Sequence, residues 1–215
     1  MNIFTKKLGC SVIALGMMCL TSCASYYKPI NAPAAPYTYS EQADGLAYSY
    51  QYDMLQLNGN KKYAKRELKN NIKVVAVKVT NTTDSTLHIG NDFKVMLGNL
   101  ETTPVPPTVV AQKLKQGVPI YLLYLLLNLN FTTTVDGQVS ESKFIPTGPP
   151  IAAYNLIVAA NANSRFKQEL ITQNLLDKTV APGETVFGLV SLNTLNAAPV
   201  RLMRRKPILS ATTQQ

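Results

Sequence analysis

All three cysteines of this 215-residue chain, Cys10, Cys19 and Cys23, lie ahead of residue 24, and no thiol follows them. The remainder therefore has no internal disulfide, no thiolate nucleophile and no Cys-ligated zinc site. Whatever folds must be held by packing alone. About 170 residues from Gly45 onward are ample for one hydrophobic core and too few to favour two domains.

The cysteines stand in a segment with a recognisable layout. Lys6 and Lys7 precede an apolar stretch from Leu8 to Cys19, and the small residues Thr21 and Ser22 stand directly before Cys23. A positive start, a short apolar run and small residues at a processing point describe a secretory signal. The run is shorter than the roughly 20 residues that a permanent membrane span requires. Leu20-Thr21-Ser22-Cys23 resembles the lipobox of bacterial prolipoproteins. The resemblance implies that the Cys23 sulfur receives a diacylglyceryl group, that the chain is cut between Ser22 and Cys23, and that the new amine is acylated. Residues 1–22 are then the signal peptide, and membrane attachment runs through lipid on Cys23. In some bacteria an aspartate after the cysteine retains such proteins in the inner membrane. Ala24 stands at that place, so the expected location is the outer membrane, facing the periplasm.

From residue 23 to 44 the chain is rich in Ala, Ser, Tyr and Pro, with Pro29, Pro33 and Pro36 and no regular apolar period. It reads as a flexible tether. At roughly 3.1 Å per residue it would reach about 60 Å when extended. Loss of Lys6 and Lys7 with the signal lowers the net charge from +9 to +7, and the excess is clustered. Lys61, Lys62, Lys65, Arg66, Lys69 and Lys73 crowd one segment, and Arg201, Arg204, Arg205 and Lys206 crowd another. Such clusters attract anionic headgroups or polyanionic glycans, yet they also suit a solvated turn between strands, which is the expectation here. Tyr63 is the only aromatic residue in either cluster, whereas a nucleic-acid platform interleaves several, so nucleic acid is not an expected partner.

Secondary structure is most legible where the apolar period is two. Tyr48, Tyr50 and Tyr52 alternate with polar or small residues, as in a half-buried strand. Ile72 to Thr80 is β-branched and nearly continuous, as in a central strand covered on both faces. Asn81 to Ser85 is turn chemistry, and short strands follow at 86–89 and 93–97. Lys178 to Ala181, the turn Pro182-Gly183-Glu184, the strand Thr185 to Leu192 and a last strand Val200 to Met203 complete the pattern. The stretches Val75 to Thr83 and Val180 to Val190 together resemble the immunoglobulin-like sandwich domains common in bacterial lipoproteins. The resemblance implies a mainly β chain with an immunoglobulin-like β-sandwich over 45–206, serving interaction rather than chemistry. Residues 207–215 read as a disordered tail.

A helical and β-hairpin insertion is expected at about 105–170. Thr108 to Gln116 suits a short amphipathic helix closed by Gly117. Pro119 then opens an apolar run, Ile120 to Leu127, with no polar face. A hairpin follows, with Asp136-Gly137 at its turn and a return strand from Gln138 to Phe144. Pro150 to Asn161 reads as a helix, broken by Asn161-Ala162-Asn163-Ser164, with a further helix over 165–170. The apolar run is too short to cross a bilayer, so core burial is its expected fate. The alternative is shallow insertion or a groove, with Tyr121, Leu122, Leu125 and Leu126 as the apolar contacts.

Catalytic chemistry has little to draw on. His88 is the only histidine, no Gly-x-Ser-x-Gly elbow presents a nucleophile, and no phosphate loop, metal motif or cofactor signature is present. The expected function is that of a membrane-anchored envelope lipoprotein, not an enzyme, acting as a binding or assembly module with an envelope protein as partner. A carrier of an apolar ligand and an envelope hydrolase built on scattered carboxylates are the alternatives. Because no other thiol follows the signal, Cys23→Ala is expected to abolish acylation. Metabolic palmitate labelling checks this, and full labelling of the alanine variant would refute the lipobox.

Overall fold

The computed structural model describes residues 24–135 and 138–205, the side chains of 133–141 excepted. The signal peptide, Ser22 and Cys23, the Asp136-Gly137 turn and the 207–215 tail lie outside the described residues. The chain divides into two compact units. The larger joins Tyr27–Lys115 to Arg165–Gln215, and the smaller joins Gln116–Ser164 to the segment that ends at Tyr26. The inserted part of the smaller unit, Gln116–Ser164, lies within the 105–170 span read from the sequence.

The larger unit is built on antiparallel strands. Four of them, β1 (Tyr39–Ala43), β2 (Leu46–Gln51), β3 (Ile72–Asn81) and β10 (Thr185–Asn193), form one sheet in the order β1-β2-β3-β10. A second sheet has the order β11-β5-β6, from Val200–Arg204, Phe93–Leu97 and Leu100–Thr102. Leu87–His88 (β4) pairs with Thr179–Val180 (β9). Tyr48 and Tyr50 of β2, Val75, Val77 and Val79 of β3, and Val190 and Leu192 of β10 share a core with Val95, Val200 and Leu202 of the second sheet. The period-two tyrosines and the continuous β3 run thus form strands as expected.

Helices take a larger share than expected, and the fold is mixed α/β with several small antiparallel sheets rather than mainly β. The basic segment is the first correction. Lys61–Asn70 is a helix, closed by Asn71 in the left-handed conformation at φ 55°. Lys, Arg, Glu, Ala and Leu are strong helix formers. Tyr63, Ala64 and Glu67 face inward at helical spacing, while Lys61, Lys65 and Lys69 are exposed.

The tether is the second correction, because residues beyond Tyr26 pack into the larger unit. Tyr27, Ile30 and Ala32 are buried. The Tyr27 ring lies 5.4 Å from Tyr63 and 5.3 Å from Phe166, an aromatic trio whose edge and tilted geometries are favourable. The Glu169 carboxylate accepts hydrogen bonds from the Tyr27 hydroxyl and, at 2.8 Å, from the Ile30 N–H. Asn60 closes a reciprocal pair with Lys28, its Oδ1 accepting from the Lys28 N–H at 2.9 Å and its amide donating to the Lys28 carbonyl at 2.7 Å. Irregularly spaced Pro and Tyr defeat a regular period without preventing burial, which is why the segment looks unstructured in sequence.

In the smaller unit Pro119–Leu126 forms a 3₁₀ helix, and β7 (Leu129–Val135) pairs with β8 (Gln138–Ile145) as the expected hairpin. Gly148–Thr172 is one continuous helix whose residues to Ser164 belong to this unit and whose later residues belong to the larger. No break occurs at Asn161–Ser164. The Asn163 side chain is engaged by Gln116, its Oδ1 accepting from the Gln116 N–H at 2.7 Å and its amide donating to the Gln116 carbonyl at 3.1 Å. Gly148 is required by a close approach. Its N–H donates to the Leu127 carbonyl at 2.7 Å, and a Cβ there would strike the carbonyl oxygens of Tyr124 and Leu127.

Glu67 carries a pH dependence. The β2–β3 ladder ends at Gln51↔Ala76, and beyond its end the Val74 N–H donates to Glu67 Oε1 at 2.7 Å. Burial pushes the carboxyl up from 4.5 to about 7, against the opposing pull of the Val74 N–H and Lys73. Since the folded value lies above the unfolded one, the native state holds the proton longer, so stability falls as pH rises from 4.5 to about 7 and levels above that. At roughly 1.4 kcal/mol per unit, the loss is on the order of 3 kcal/mol. Glu67→Gln keeps an acceptor and removes the charge. It is expected to flatten the slope between pH 4.5 and about 7 in denaturant midpoints, and an unchanged slope would refute the assignment.

Candidate functional site

The apolar run is divided by the geometry of its helix. In a 3₁₀ helix side chains three apart eclipse one another, so the segment presents three rows rather than the broad face of an α-helix. Tyr121 and Tyr124 form one row, with rings stacked at 6.4 Å and planes within 7°. This row is buried, Tyr121 at 2% exposure, against Ala152 and Ala159, with Ala24, Val118, Leu127 and Leu156 packed around them. The two other rows face outward. Leu122 is 49% exposed, Leu123 61%, Leu125 47% and Leu126 77%. Core burial, expected for the whole run, holds only for its tyrosine row. Of the four anticipated contact residues, Tyr121 supports the unit from within and Leu122, Leu125 and Leu126 lie on its surface.

The rest of the unit follows the same pattern. On the Gly148–Thr172 helix, Ala152, Asn155 and Ala159 point inward while Ile151, Tyr154 and Ile157 are exposed. A helix apolar on both faces is unusual at a water-facing surface. On the hairpin Leu129, Phe131, Phe144 and Ile145 are exposed as well. These residues were not anticipated, though a signal for them existed. No Asp, Glu, Lys or Arg occurs from Gln116 to Val135 or from Phe144 to Ser164. Ordinary soluble surfaces are about a quarter to a third charged.

The entry of the chain into this unit is fixed by polar contacts. The Ala24 N–H donates to Asn155 Oδ1 at 2.6 Å, and the Ser25 N–H donates to Gln116 Oε1 at 3.1 Å. Gln116 returns a hydrogen bond from Nε2 to the Ser25 carbonyl at 2.6 Å. The exposed Tyr26 and Tyr154 hydroxyls share a hydrogen bond at 2.8 Å. Residues 24–26 are therefore part of the folded unit.

His88, Glu67 and Glu169 of the larger unit each make hydrogen bonds within that unit. His88 caps the short Ile89–Asp92 helix, its Nδ1 accepting from the Asn91 N–H at 3.3 Å. Glu67 and Glu169 are occupied by backbone and side-chain donors of their own unit. A depression lined by Pro104, Pro106, Leu170, Leu176, Leu189 and Ser191 encloses about 230 Å³. Among the described residues no group of three or more His, Cys, Asp or Glu is placed to hold a metal ion, and no helix is long and apolar enough to cross a membrane.

Compared with known protein families, curated proteins and solved structures, the chain matches none.

The row assignment predicts opposite outcomes for neighbouring substitutions. Tyr121→Ala removes a buried, stacked ring and should cost on the order of 3 to 5 kcal/mol. Leu125→Ala should leave the melting point nearly unchanged. Thermal unfolding of the two variants beside the parent measures the difference, and equal losses would place Leu125 in the core.

Proposed function

We propose that this protein is an envelope lipoprotein anchored by acyl chains on Cys23, whose folded body acts as a binding or assembly module. The observation that carries the reading is the sequence Leu20-Thr21-Ser22-Cys23 behind a positive, apolar leader. Two structural features support it. Ala24, the residue after the cysteine, is already held by Asn155, so folding begins where the signal would end. The smaller unit exposes Leu122, Leu123, Leu125, Leu126, Phe131 and Phe144, and clustered exposed apolar surface is a mark of interaction sites. The outer membrane, periplasmic face, remains the proposed location.

The immunoglobulin-like reading belongs to the larger unit. Support comes from the pairing of the β1-β2-β3-β10 sheet with the β11-β5-β6 sheet over a shared core. The exposed Lys61, Lys65 and Lys69 face, with spacing of four residues along its helix, suits an acidic partner. Cross-linking in intact cells followed by isolation of the acylated protein tests the module role. A reproducible envelope partner at comparable abundance, lost when these three lysines are changed to Glu, is expected. Substrate turnover by the isolated protein without any such partner would overturn it.

A further inference from the structure

We infer that the smaller unit seats in the bilayer interface beside its own anchor, with Leu122, Leu123, Leu125 and Leu126 in contact with lipid acyl chains. The inference rests on the lipoprotein reading and adds to it a second, non-covalent membrane contact made by the fold itself.

Covalent geometry supplies the first argument. Cys23 is one peptide bond from Ala24, which places their Cα atoms about 3.8 Å apart. Ala24 is hydrogen-bonded to Asn155 and packs against the tyrosine core. An acyl anchor on Cys23 would therefore be joined directly to a residue that this apolar unit holds. The bilayer is thus presented to this surface at the high effective concentration of an intramolecular contact, an advantage no free protein partner has.

Charge supplies the second. The smaller unit beyond Cys23 carries only Asp136, Glu141 and Lys143, all within the hairpin. The 3₁₀ helix and the first part of the long helix have no charge to desolvate on entering lipid. Length sets the depth. At about 2.0 Å per residue the eight-residue Pro119–Leu126 helix is about 16 Å long, half of a hydrocarbon core of roughly 30 Å. It can lie in the interface and cannot span. The exposed, hydrogen-bonded Tyr26 and Tyr154 have the amphipathic chemistry favoured at that depth.

The chain contains no tryptophan, so a single introduced one reports its own surroundings. Leu123→Trp and Leu126→Trp replace exposed side chains and leave the tyrosine core untouched. Each mature, acylated full-length variant is reconstituted in vesicles of phosphatidylethanolamine and phosphatidylglycerol, with plain or brominated acyl chains. Mass analysis of the Cys23 peptide accompanies the measurement. Seating predicts blue-shifted emission, strong quenching by brominated lipid and weak quenching by aqueous iodide. Water-like emission open to iodide, on protein whose Cys23 is acylated, overturns the inference and leaves the lipoprotein reading intact. An unmodified Cys23 in protein from native membranes overturns both. Blue-shifted emission insensitive to brominated lipid, together with a cross-linked dimer, overturns the inference by assigning the face to a second copy.

Discussion

The burial of β3 on both faces is the constraint from which the larger unit is built. Residues 72 to 77 are all buried, so faces and ladder edges alike must be covered. Val75, Val77 and Val79 meet the second sheet, and β10 pairs along the length of the strand. β2 pairs only as far as Ala76. Where it gives out, the backbone needs another acceptor, because an unsatisfied buried N–H costs about 1 to 3 kcal/mol. Glu67 supplies one from the Lys61–Asn70 helix. The presence of that helix, the inward turn of its carboxylate and the raised pKa are therefore linked consequences of a strand with no exposed side.

Glu169 solves a similar problem for a different segment. It gathers the Tyr27 hydroxyl, the Ile30 N–H and the Gln173 amide around one carboxylate. Burial is the main cause that raises its pKa, while these donors favour the charged form and pull the other way. The same burial raises the Tyr27 hydroxyl far above its usual value, with Glu169 adding to the shift. Two polar groups that would each be costly alone satisfy one another, and in doing so hold residues 27–30 against the aromatic trio.

What was legible in the sequence followed from periods that only one structure satisfies. Alternating tyrosines and an unbroken β-branched run permit strands and little else, so β2 and β3 were readable, as were the Asn81 turn and the Pro182-Gly183-Glu184 turn before β10. The basic segment was not, because a charge cluster describes a surface and leaves its backbone open between turn and helix. Residues 24–44 were misread because prolines and tyrosines give no period, while the polar partners that hold them, Asn60 and Glu169, lie far away in sequence. The apolar run failed for a geometric reason. Its eight residues fit a core strand or an α-helix, and only a three-residue repeat separates Tyr121 and Tyr124 from the leucines between them. The resemblance of Leu20-Thr21-Ser22-Cys23 to a lipobox is a matter of sequence alone, since all four lie outside the described residues.

The two units handle polarity in opposite ways. The larger buries two carboxylates and a lysine, each with partners, and exposes Lys61, Lys65 and Lys69. The smaller keeps an asparagine and a glutamine inside, where Asn155 and Gln116 bind its incoming backbone, and places leucine, isoleucine and phenylalanine outward. An uncharged surface rich in large apolar side chains, over a core whose buried amides pair with backbone, is costly facing water and ordinary at a lipid boundary, where backbone groups must be satisfied internally. Asn155 is the hinge of this logic. Its Oδ1 holds the Ala24 N–H and its amide donates to the Ile151 carbonyl one turn back, so the first backbone donor after Cys23 is paired inside protein. A chain leaving a lipid anchor through the bilayer interface would otherwise carry that donor unpaired into the least favourable medium for it.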